Sequence, residues 1–398
     1  MIKKFWWLFL IGLLIRLTVA AFTFHPDVRT PALASAVLFR EESLNFYEIA
    51  PKISTQDILD DLPLSYFISL PGHIIGRVLV DSKTEDLFLH SQGTLFGDPS
   101  LWLYLVYVKL PFIIFDLLIA FLLFKIVNSE DRKKVLILWI FNPVSLWTVA
   151  AIGQADVYAT FFIVLSLLFI KKSKLELGAL SLGLGGAIKS APIILLPYLL
   201  GMATSWNQRL KLIGLTMIPY LITVIPYLGS RQFRLNALLA PQLDKVLYAN
   251  LPLSGSESIL IVPAVVLTLY LIFFFKKRGY NDFLNFSLIT LLLVLTFTHF
   301  HIQWFLWITP LLILWFLEGQ DKNKLLPILG LSFSLLVMLF CFDSSLQLKL
   351  FAPLWPNFDQ MKGLTENLST ERLESIRNLA ATIFAGSTFY LSWRTLKD

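Results

Sequence analysis

Long apolar stretches separated by short polar ones run along most of the chain. An apolar helix needs about 20 residues to cross the hydrocarbon core of a bilayer, and twelve stretches approach that length. Their approximate limits are 5–24, 101–127, 135–151, 156–170, 175–189, 191–204, 211–228, 259–275, 283–298, 302–317, 325–342 and 376–393. The fifth and sixth are short and form either two crossings or one broken hairpin. The pattern predicts an all-α, polytopic membrane protein with about 12 transmembrane helices. The count lies between 10 and 12, because the fifth and sixth stretches need not be two full crossings.

The composition supports this class and excludes others. Of the residues, 56% are hydrophobic and 15% are charged, whereas soluble domains have about 45–50% apolar and about 25% charged residues. The single cysteine, Cys341, excludes an intramolecular disulfide and a cysteine-based zinc site. The net charge of +6 does not indicate a nucleic-acid partner, because the basic residues cluster in short loops as topology signals. We predict a single transmembrane domain, residues 1–398.

The basic residues also predict an orientation. With the N-terminus in the cytoplasm, the short inner loops hold more than half of the 33 basic residues, including those of 171–174, as the positive-inside rule requires. The outer side then receives three long segments, 25–100, 229–258 and 343–375. We expect the first of these, 25–100, to carry surface helices and part of an active site. The N-terminal apolar run lacks a clear cleavage site, so we expect an uncleaved first span.

Polar residues interrupt the apolar pattern at five places, and all five fall on the predicted outer side. They are Asp27 after the first segment, Asp60 and Asp61 in the first loop, Gln154 and Asp156 after the third segment, Lys189 between the fifth and sixth, and His299, His301 and Gln303 between the ninth and tenth. A transporter more often places its polar groups near the bilayer midplane. Polar groups gathered on one side favour an enzyme that works at the lipid–water boundary.

The carboxylates have different expected roles. Asp27 follows a rigid span and has no local helix to cap, so we expect it to act as a general base. Asp60 and Asp61 precede Pro63, and acids in this position are also typical of a helix N-terminus. Asp156 opens the fourth segment at a tight turn, where we expect a hydrated carboxylate that positions the acceptor.

Lys189 and the histidine pair are candidates for binding an anion. Lys189 lies between apolar stretches, where a lysine can snorkel or hold a phosphate as a point charge. His299 and His301 are two residues apart, and metal ligands on one helix face lie three or four apart, so we predict no metal site. Together with Gln303 they suit phosphate or sugar oxygens. We expect Lys189 and His301 to supply positive charge to a leaving phosphate.

Taken in order, these segments resemble the GT-C superfamily of membrane glycosyltransferases, which use polyprenyl-phosphate sugars. They are similar to the glucosyltransferases that extend lipid-linked oligosaccharide and to the first mannosyltransferase of the GPI-anchor pathway. Asp27 matches the acid of the first loop in the glucosyltransferases, 59–64 match L-D-Y-P-P-L with two changes, and 153–154 match a G-H turn. Lys189 is shared with an N-Y-K-Q motif. Residues 299–307 combine the H-x-H of the glucosyltransferases with a stretch similar to the Q-Y-F-L-W of the GPI enzyme.

The sequence departs from the pattern at three points. Ile302 and Gln303 replace the Glu and Lys of H-x-H-E-K, the second proline of the P-P pair is missing, and Arg29 stands where many relatives carry a second acid. The donor sugar and the acceptor therefore stay open.

The resemblance implies an inverting transfer of a hexose, mannose or glucose, without a cofactor. The donor is a polyprenyl-phosphate sugar, and the acceptor is a hydroxyl of a lipid-linked or cell-surface glycan on the outer or lumenal face. A polytopic transporter or lipid flippase, and a non-catalytic assembly subunit, are the alternatives. A bacterial plasma membrane and the endoplasmic reticulum both fit the sequence, and we expect the bacterial membrane.

Overall fold

The protein is almost entirely helical in this computed structural model, which describes residues 4–54, 57–90, 95–276, 279–318 and 322–397. The α-helices in these ranges are α1 (Trp6–Ala21), α2 (Arg29–Arg40), α3 (Phe46–Ile53), α4 (Pro63–Leu79), α5 (Ser82–His90), α6 (Leu101–Ile126), α7 (Arg132–Ile140), α8 (Pro143–Ser145), α9 (Asp156–Lys171), α10 (Leu175–Gly186), α11 (Leu196–Met202), α12 (Trp206–Val224), α13 (Arg231–Phe233), α14 (Pro241–Asp244), α15 (Ile261–Phe275), α16 (Tyr280–Thr296), α17 (Thr309–Leu317), α18 (Leu325–Phe342) and α19 (Thr370–Lys397). The predicted all-α class is confirmed.

Short helical turns and one hairpin connect these helices. The 3₁₀ turns are Pro26–Val28, Leu95–Gly97, Ala191–Leu195, Ile225–Tyr227, Lys245–Leu247, Ile302–Trp307, Lys322–Lys324, Ser344–Leu346, Leu348–Phe351 and Pro356–Gln360, and the π-helical turns are Leu146–Ile152 and Arg234–Leu238. The hairpin pairs β1 (Asn250–Pro252) with β2 (Ser258–Leu260) in antiparallel register, and Leu251 lies opposite Ile259.

Each of the twelve predicted apolar segments coincides with helical structure. Among the described residues, Leu101–Ile126, Arg132–Ile152 and Trp206–Tyr227 are long and apolar enough to cross a membrane. A fourth span results if Trp6–Ala21 and Pro26–Arg40, which are bent by 101°, count as one. Other apolar helices have 10–17 residues. These helices indicate a membrane protein, while the count of twelve spans and the single domain stay predictions.

Helix α6 lies at the centre of the bundle. It packs against α1, α4, α7 and α9, and α10 in turn packs between α9 and α12. The contact of α10 with α12 needs Gly183, because a Cβ there would lie 2.3 Å from the carbonyl oxygen of Thr216. Small residues allow helix backbones in a membrane protein to approach this closely. Elsewhere in the bundle, α19 packs against α16 and α18.

The described helices enclose two large hydrophobic cores. The bundle core includes Leu123, Trp139 and Leu292 from α6, α7 and α16. The second core belongs to helices α2 to α5, which we call the loop lobe, and it includes Phe46 and Tyr66. The first half of α6 also contributes to this second core. The lobe therefore packs on the central helix of the bundle.

A buried polar network ties α1, α6, α7 and α8 together inside the bundle core. Arg16 donates from Nε to the carboxylate of Asp116 and from Nη2 to Ser145 Oγ at 3.0 Å. Ser145 Oγ donates to Asp116 Oδ1 at 2.6 Å, and Trp139 Nε1 donates to the Asp116 carbonyl oxygen at 3.0 Å. The Arg16 and Asp116 side chains are both 0% exposed. We call these four residues the sealed network, since buried charges persist only when paired and hydrogen-bonded.

Candidate active site

A cavity of about 670 Å³ lies between the loop lobe and the bundle. Most of the predicted site residues line it, although they come from distant parts of the chain. The lining residues among them are Asp27, Asp60, Asp61, Gln154, Lys189, His301 and Gln303. Asp156 lies behind Lys189, with which it forms an ion pair. His299 is exposed and lies outside this lining.

The rest of the cavity wall is mainly apolar and aromatic. It includes Phe112, Ile188, Ile194, Tyr220, Leu238, Leu243, Val246, Leu291, Val294, Leu295, Trp304 and Trp307. The rings of Trp304 and Trp307 are stacked, with centroids 5.6 Å apart and planes at 12°. A wall of many apolar side chains with a few converging polar groups is typical of a small-molecule site, and this one suits a ligand that has a polar and an apolar part.

Asp27 lies in the turn Pro26–Val28 that leads into α2. Its side chain is 47% exposed, and its carboxylate accepts a hydrogen bond from Gln154 Nε2. Its backbone N–H donates to His25 Nδ1 at 3.3 Å. Helix α2 begins two residues later, at Arg29, but its N-cap residue is Val28 and no side chain caps it. The carboxylate lines the cavity and is held by a side-chain amide.

A π-helical turn and a left-handed glycine place Gln154 against Asp27. The turn Leu146–Ile152 ends at Gly153, which has a φ of 83°. Glycine adopts this conformation without strain, and a Cβ here would also lie 3.0 Å from Val28 Cγ2. π-helical turns are frequent at functional sites. The next residue, Gln154, then reaches the first loop with its side chain.

Lys109 of α6 joins the two segments that carry Asp27 and Gln154. Its buried Nζ donates to the carbonyl oxygens of Thr23 at 2.7 Å and Ala151 at 2.8 Å, and to Thr23 Oγ1 at 3.1 Å. Thr23 precedes the turn that carries Asp27, and Ala151 lies in the π-helical turn just before Gln154. One ammonium group therefore fixes both backbones. The sequence pattern did not reveal this role, because every partner of Lys109 is distant along the chain.

Lys189 lies between two carboxylates. Its Nζ is 3.2 Å from Asp61 Oδ1 and 3.2 Å from Asp156 Oδ2. The side chains of Lys189, Asp61 and Asp156 are 20%, 13% and 0% exposed. The expectation of a hydrated Asp156 is wrong, because the turn before α9 is covered and Lys189 takes the place of water. The charge of Lys189 is therefore already balanced by the protein.

Hydrogen bonds from α3 and α4 hold Asp61. Leu62 is extended, with a ψ of 157°, as the residue before a proline usually is, and Pro63 begins α4. The Asp61 carbonyl oxygen accepts from Tyr47 at 2.7 Å, and its carboxylate accepts from Ser65 Oγ at 3.3 Å. These contacts fix the carboxylate that meets Lys189.

Asp60 extends into the cavity. Its Oδ2 accepts a hydrogen bond from Gln242 Nε2 at 2.8 Å. Gln242 belongs to α14, so this bond joins the first loop to that helix. Its side chain is exposed to the cavity, but the protein atoms that surround it displace bulk water, and together with the neighbouring Asp61 carboxylate they raise the pKa of Asp60 to about 7. Neutral and charged forms of Asp60 therefore coexist near neutral pH.

His301 enters the cavity just before the turn Ile302–Trp307. Its Nε2 lies 3.2 Å from Nζ of Lys245, and an ammonium can only donate in such a pair. Burial and the charge of Lys245 lower the pKa of His301 to about 4. The expectation that His301 supplies a positive charge is therefore wrong, since the ring is neutral at pH 7. Within the described residues, no group of three or more His, Cys, Asp or Glu side chains is arranged to hold a metal ion.

Two features of the site have no local signal in the sequence. Arg29, which stands where relatives carry a second acid, is 3% exposed and lies 3.3 Å from Asp57, so this position forms an ion pair within the loop lobe. Lys245 reaches His301 from 229–258, which the sequence predicts only as a long outer segment. A buried arginine close to the cavity could have suggested an ion pair, but its partner lies 28 residues further on.

The comparison with known proteins gives one partial similarity. A stretch of 90 residues, 22% of the chain, is 34% identical to GPI mannosyltransferase 1 of Saccharomyces cerevisiae. The stretch spans 22% of the length of that relative. No protein-family model matches the chain, and no solved structure matches it. The similarity supports a relation to glycosyltransferases and extends no further.

Proposed function

We propose that this protein is a glycosyltransferase that moves a hexose, mannose or glucose, from a polyprenyl-phosphate donor to an acceptor hydroxyl. The observation that carries the proposal is the cavity, where an exposed carboxylate, Asp27, lies among polar groups in an otherwise apolar and aromatic wall. A lipid-bound sugar has both kinds of surface. The partial similarity to a mannosyltransferase supports sugar transfer.

In this proposal Asp27 is the general base. It takes the proton of the acceptor hydroxyl while the acceptor oxygen bonds to the anomeric carbon. The bond from that carbon to the phosphate oxygen breaks at the same time, and the phosphate leaves on its lipid. A single displacement inverts the configuration of the sugar. The hydrogen bond from Gln154 orients the carboxylate, and positioned general bases typically contribute about 10²–10⁴-fold to a rate.

The other cavity groups bind substrate in this proposal. Asp60 and Asp61 accept hydrogen bonds from sugar hydroxyls, and the amide of Gln303 can accept or donate one. Lys189, which Asp61 and Asp156 hold in place, donates to a sugar oxygen. The proposal assigns no substrate contact to His299, whose side chain is exposed outside the cavity lining.

The apolar wall of the cavity binds the first isoprene units of the donor lipid.

We further propose that the chain crosses the membrane twelve times, with the cavity on the outer face of a bacterial plasma membrane. The acceptor is a lipid-linked or cell-surface glycan on that face.

The test is transfer by the purified protein in detergent. We would supply labelled polyprenyl-phosphate mannose or glucose with extracted glycolipids as acceptors, and we expect label to move from donor to acceptor. Asp27→Asn should abolish most of the transfer. Glu41→Gln, which removes an exposed carboxylate of the loop region, is the matched control and should transfer normally.

Other outcomes separate the alternatives. Movement of an intact lipid across a vesicle membrane without loss of its sugar would indicate a transporter or flippase. Donor binding without transfer, hydrolysis or transport would indicate an assembly subunit. Release of free sugar from the donor alone would already exclude a pure transporter.

A further inference from the structure

Lys245, from the segment between α14 and β1, lies outside the cavity lining but contacts His301 and Trp304, which both line the cavity. Its Nζ lies 3.2 Å from His301 Nε2 and 5.8 Å from the ring centroid of Trp304. Within the ranges that the structure describes, Lys245 forms no ion pair with a carboxylate, and burial alone accounts for the lowered pKa of its ammonium group. His301 accepts one N–H of the ammonium without neutralising its charge.

The stacked tryptophans beside this cation provide a second observation. Trp307 lines the cavity and is 7% exposed. Its indole Nε1 is buried and has no hydrogen-bond partner among the described residues. Nearly all buried polar groups in native proteins are hydrogen-bonded to protein, water or a ligand. The indole N–H of Trp307 has no partner among the described residues, and the ammonium beside Trp304 has no carboxylate partner there, so both groups suit an anion.

The carboxylate part of the cavity does not suit an anion. There Asp61 and Asp156 share the single ammonium of Lys189, and Asp60 adds a further partial negative charge. Asp27 lies in the same cavity. A phosphate next to Lys189 would meet more negative than positive charge. A phosphate next to Lys245 would meet a neutral histidine and the ring of Trp304, against which Trp307 is stacked.

We infer that Lys245 and Trp307, and not Lys189, bind the phosphate of the lipid donor. The inference rests on the proposed function for the identity of the ligand. It divides the cavity into an anion-binding part formed by Lys245, His301, Trp304 and Trp307, and a carboxylate part that faces the sugar and the acceptor. Phosphate release is then assisted by Lys245 as charge develops on the leaving oxygen.

The test compares farnesyl phosphate with farnesol as ligands of the full-length protein in detergent. The wild type should bind farnesyl phosphate more tightly than farnesol. Lys245→Ala should weaken binding of farnesyl phosphate by about 10–150-fold, the effect of losing one charge-assisted hydrogen bond, and leave farnesol binding unchanged. Lys245→Arg should retain most of the affinity. Trp307→Phe, which removes only the N–H donor, should weaken it by roughly 3–10-fold.

Two lysine variants complete the experiment. Lys52→Ala, an exposed lysine of α3, should bind as the wild type does. Lys189→Ala should not weaken binding of farnesyl phosphate. If Lys189→Ala weakens it and Lys245→Ala does not, the inference is wrong and the phosphate lies among the carboxylates.

The experiments can refute the anion site and the proposed function separately. Phosphate-selective binding that depends on Lys245, in a protein that transfers no sugar, would refute the proposed function and retain the anion site. Sugar transfer that is unaffected by Lys245→Ala, with equal binding of farnesyl phosphate and farnesol, would refute the anion site and retain the function.

Discussion

Two polar networks of this protein each pair a basic side chain with aspartate, but in different surroundings. The sealed network pairs Arg16 with Asp116, and both side chains are 0% exposed. The second, which we call the cavity network, consists of Lys189, Asp61 and Asp156, and its lysine is 20% exposed. A ligand can reach the second network but not the first. Accessibility therefore separates a pair that holds helices together from one that can take part in chemistry.

The two networks also differ in charge. In the sealed network one guanidinium meets one carboxylate. Ser145 adds a hydrogen bond to that carboxylate, and Trp139 donates to the backbone carbonyl oxygen of Asp116. In the cavity network one ammonium meets two carboxylates. Unbalanced charge at an accessible place is a frequent mark of a functional site. Mutations should therefore lower stability in the sealed network and alter transfer in and around the cavity network.

The largest effect is expected from Asp27→Asn beside the cavity network. The amide keeps the shape of the side chain but cannot take a proton, so transfer should fall by about 10²–10⁴-fold. The thermal unfolding midpoint and the donor affinity should stay close to those of the wild type. Transfer rate, donor binding and unfolding are measured on the same preparation. A variant that transfers at a nearly normal rate would show that the base lies elsewhere.

The next effect is expected from Asp116→Asn in the sealed network. Removing one partner of a buried ion pair costs about 3–5 kcal/mol, because Arg16 is left uncompensated. Denaturant unfolding in detergent should show this loss, while transfer per folded molecule stays normal. The double variant Arg16→Met with Asp116→Leu should recover most of the stability, as apolar replacement of a buried pair often does. A single variant as stable as the wild type would contradict the sealed network's structural role.

Lys189→Met should lower both the stability of the protein and its transfer activity, the first by less than Asp116→Asn does and the second by less than Asp27→Asn does. The lysine is partly accessible to water, so we expect a stability loss of about 1–3 kcal/mol, together with a fall in kcat/KM of roughly 10-fold. Adding Asp156→Asn should restore stability, because one buried charge is removed, but should not restore transfer. Recovery of both properties in the double variant would assign Lys189 a purely structural role.

The smallest effect is a pH dependence that originates at Asp60. Its pKa is raised to about 7, so the side chain is mostly neutral at pH 6 and mostly negative at pH 8. The donor phosphodiester carries one fixed negative charge over this range. Donor KM should therefore rise by roughly two- to fivefold from pH 6 to pH 8, and Asp60→Asn should flatten the profile. An unchanged slope in that variant would assign the titration to another group.

The helices could be predicted from the sequence, because long apolar stretches are local signals. The predicted topology and the order of the motifs both place Asp27, Gln154 and His301 on one side of the membrane, but neither predicts which of their side chains touch. The burial of Asp156 and the neutral state of His301 could not be predicted, because both depend on lysines that tertiary packing brings close. The same holds for Arg16 and Asp116, which are 100 positions apart.

The composition of the second hydrophobic core has a consequence for how the protein is made. Most of that core comes from residues 24–108, and chains fold from the N-terminus as they are synthesised. We expect the loop lobe to pack against α6 while later helices are still being inserted. Lys189 and His301 reach the cavity, and Lys245 reaches His301, only afterwards. A nascent chain would then carry a folded lobe without a ligand site, and the delay between the two would be set by the synthesis of the second half of the chain.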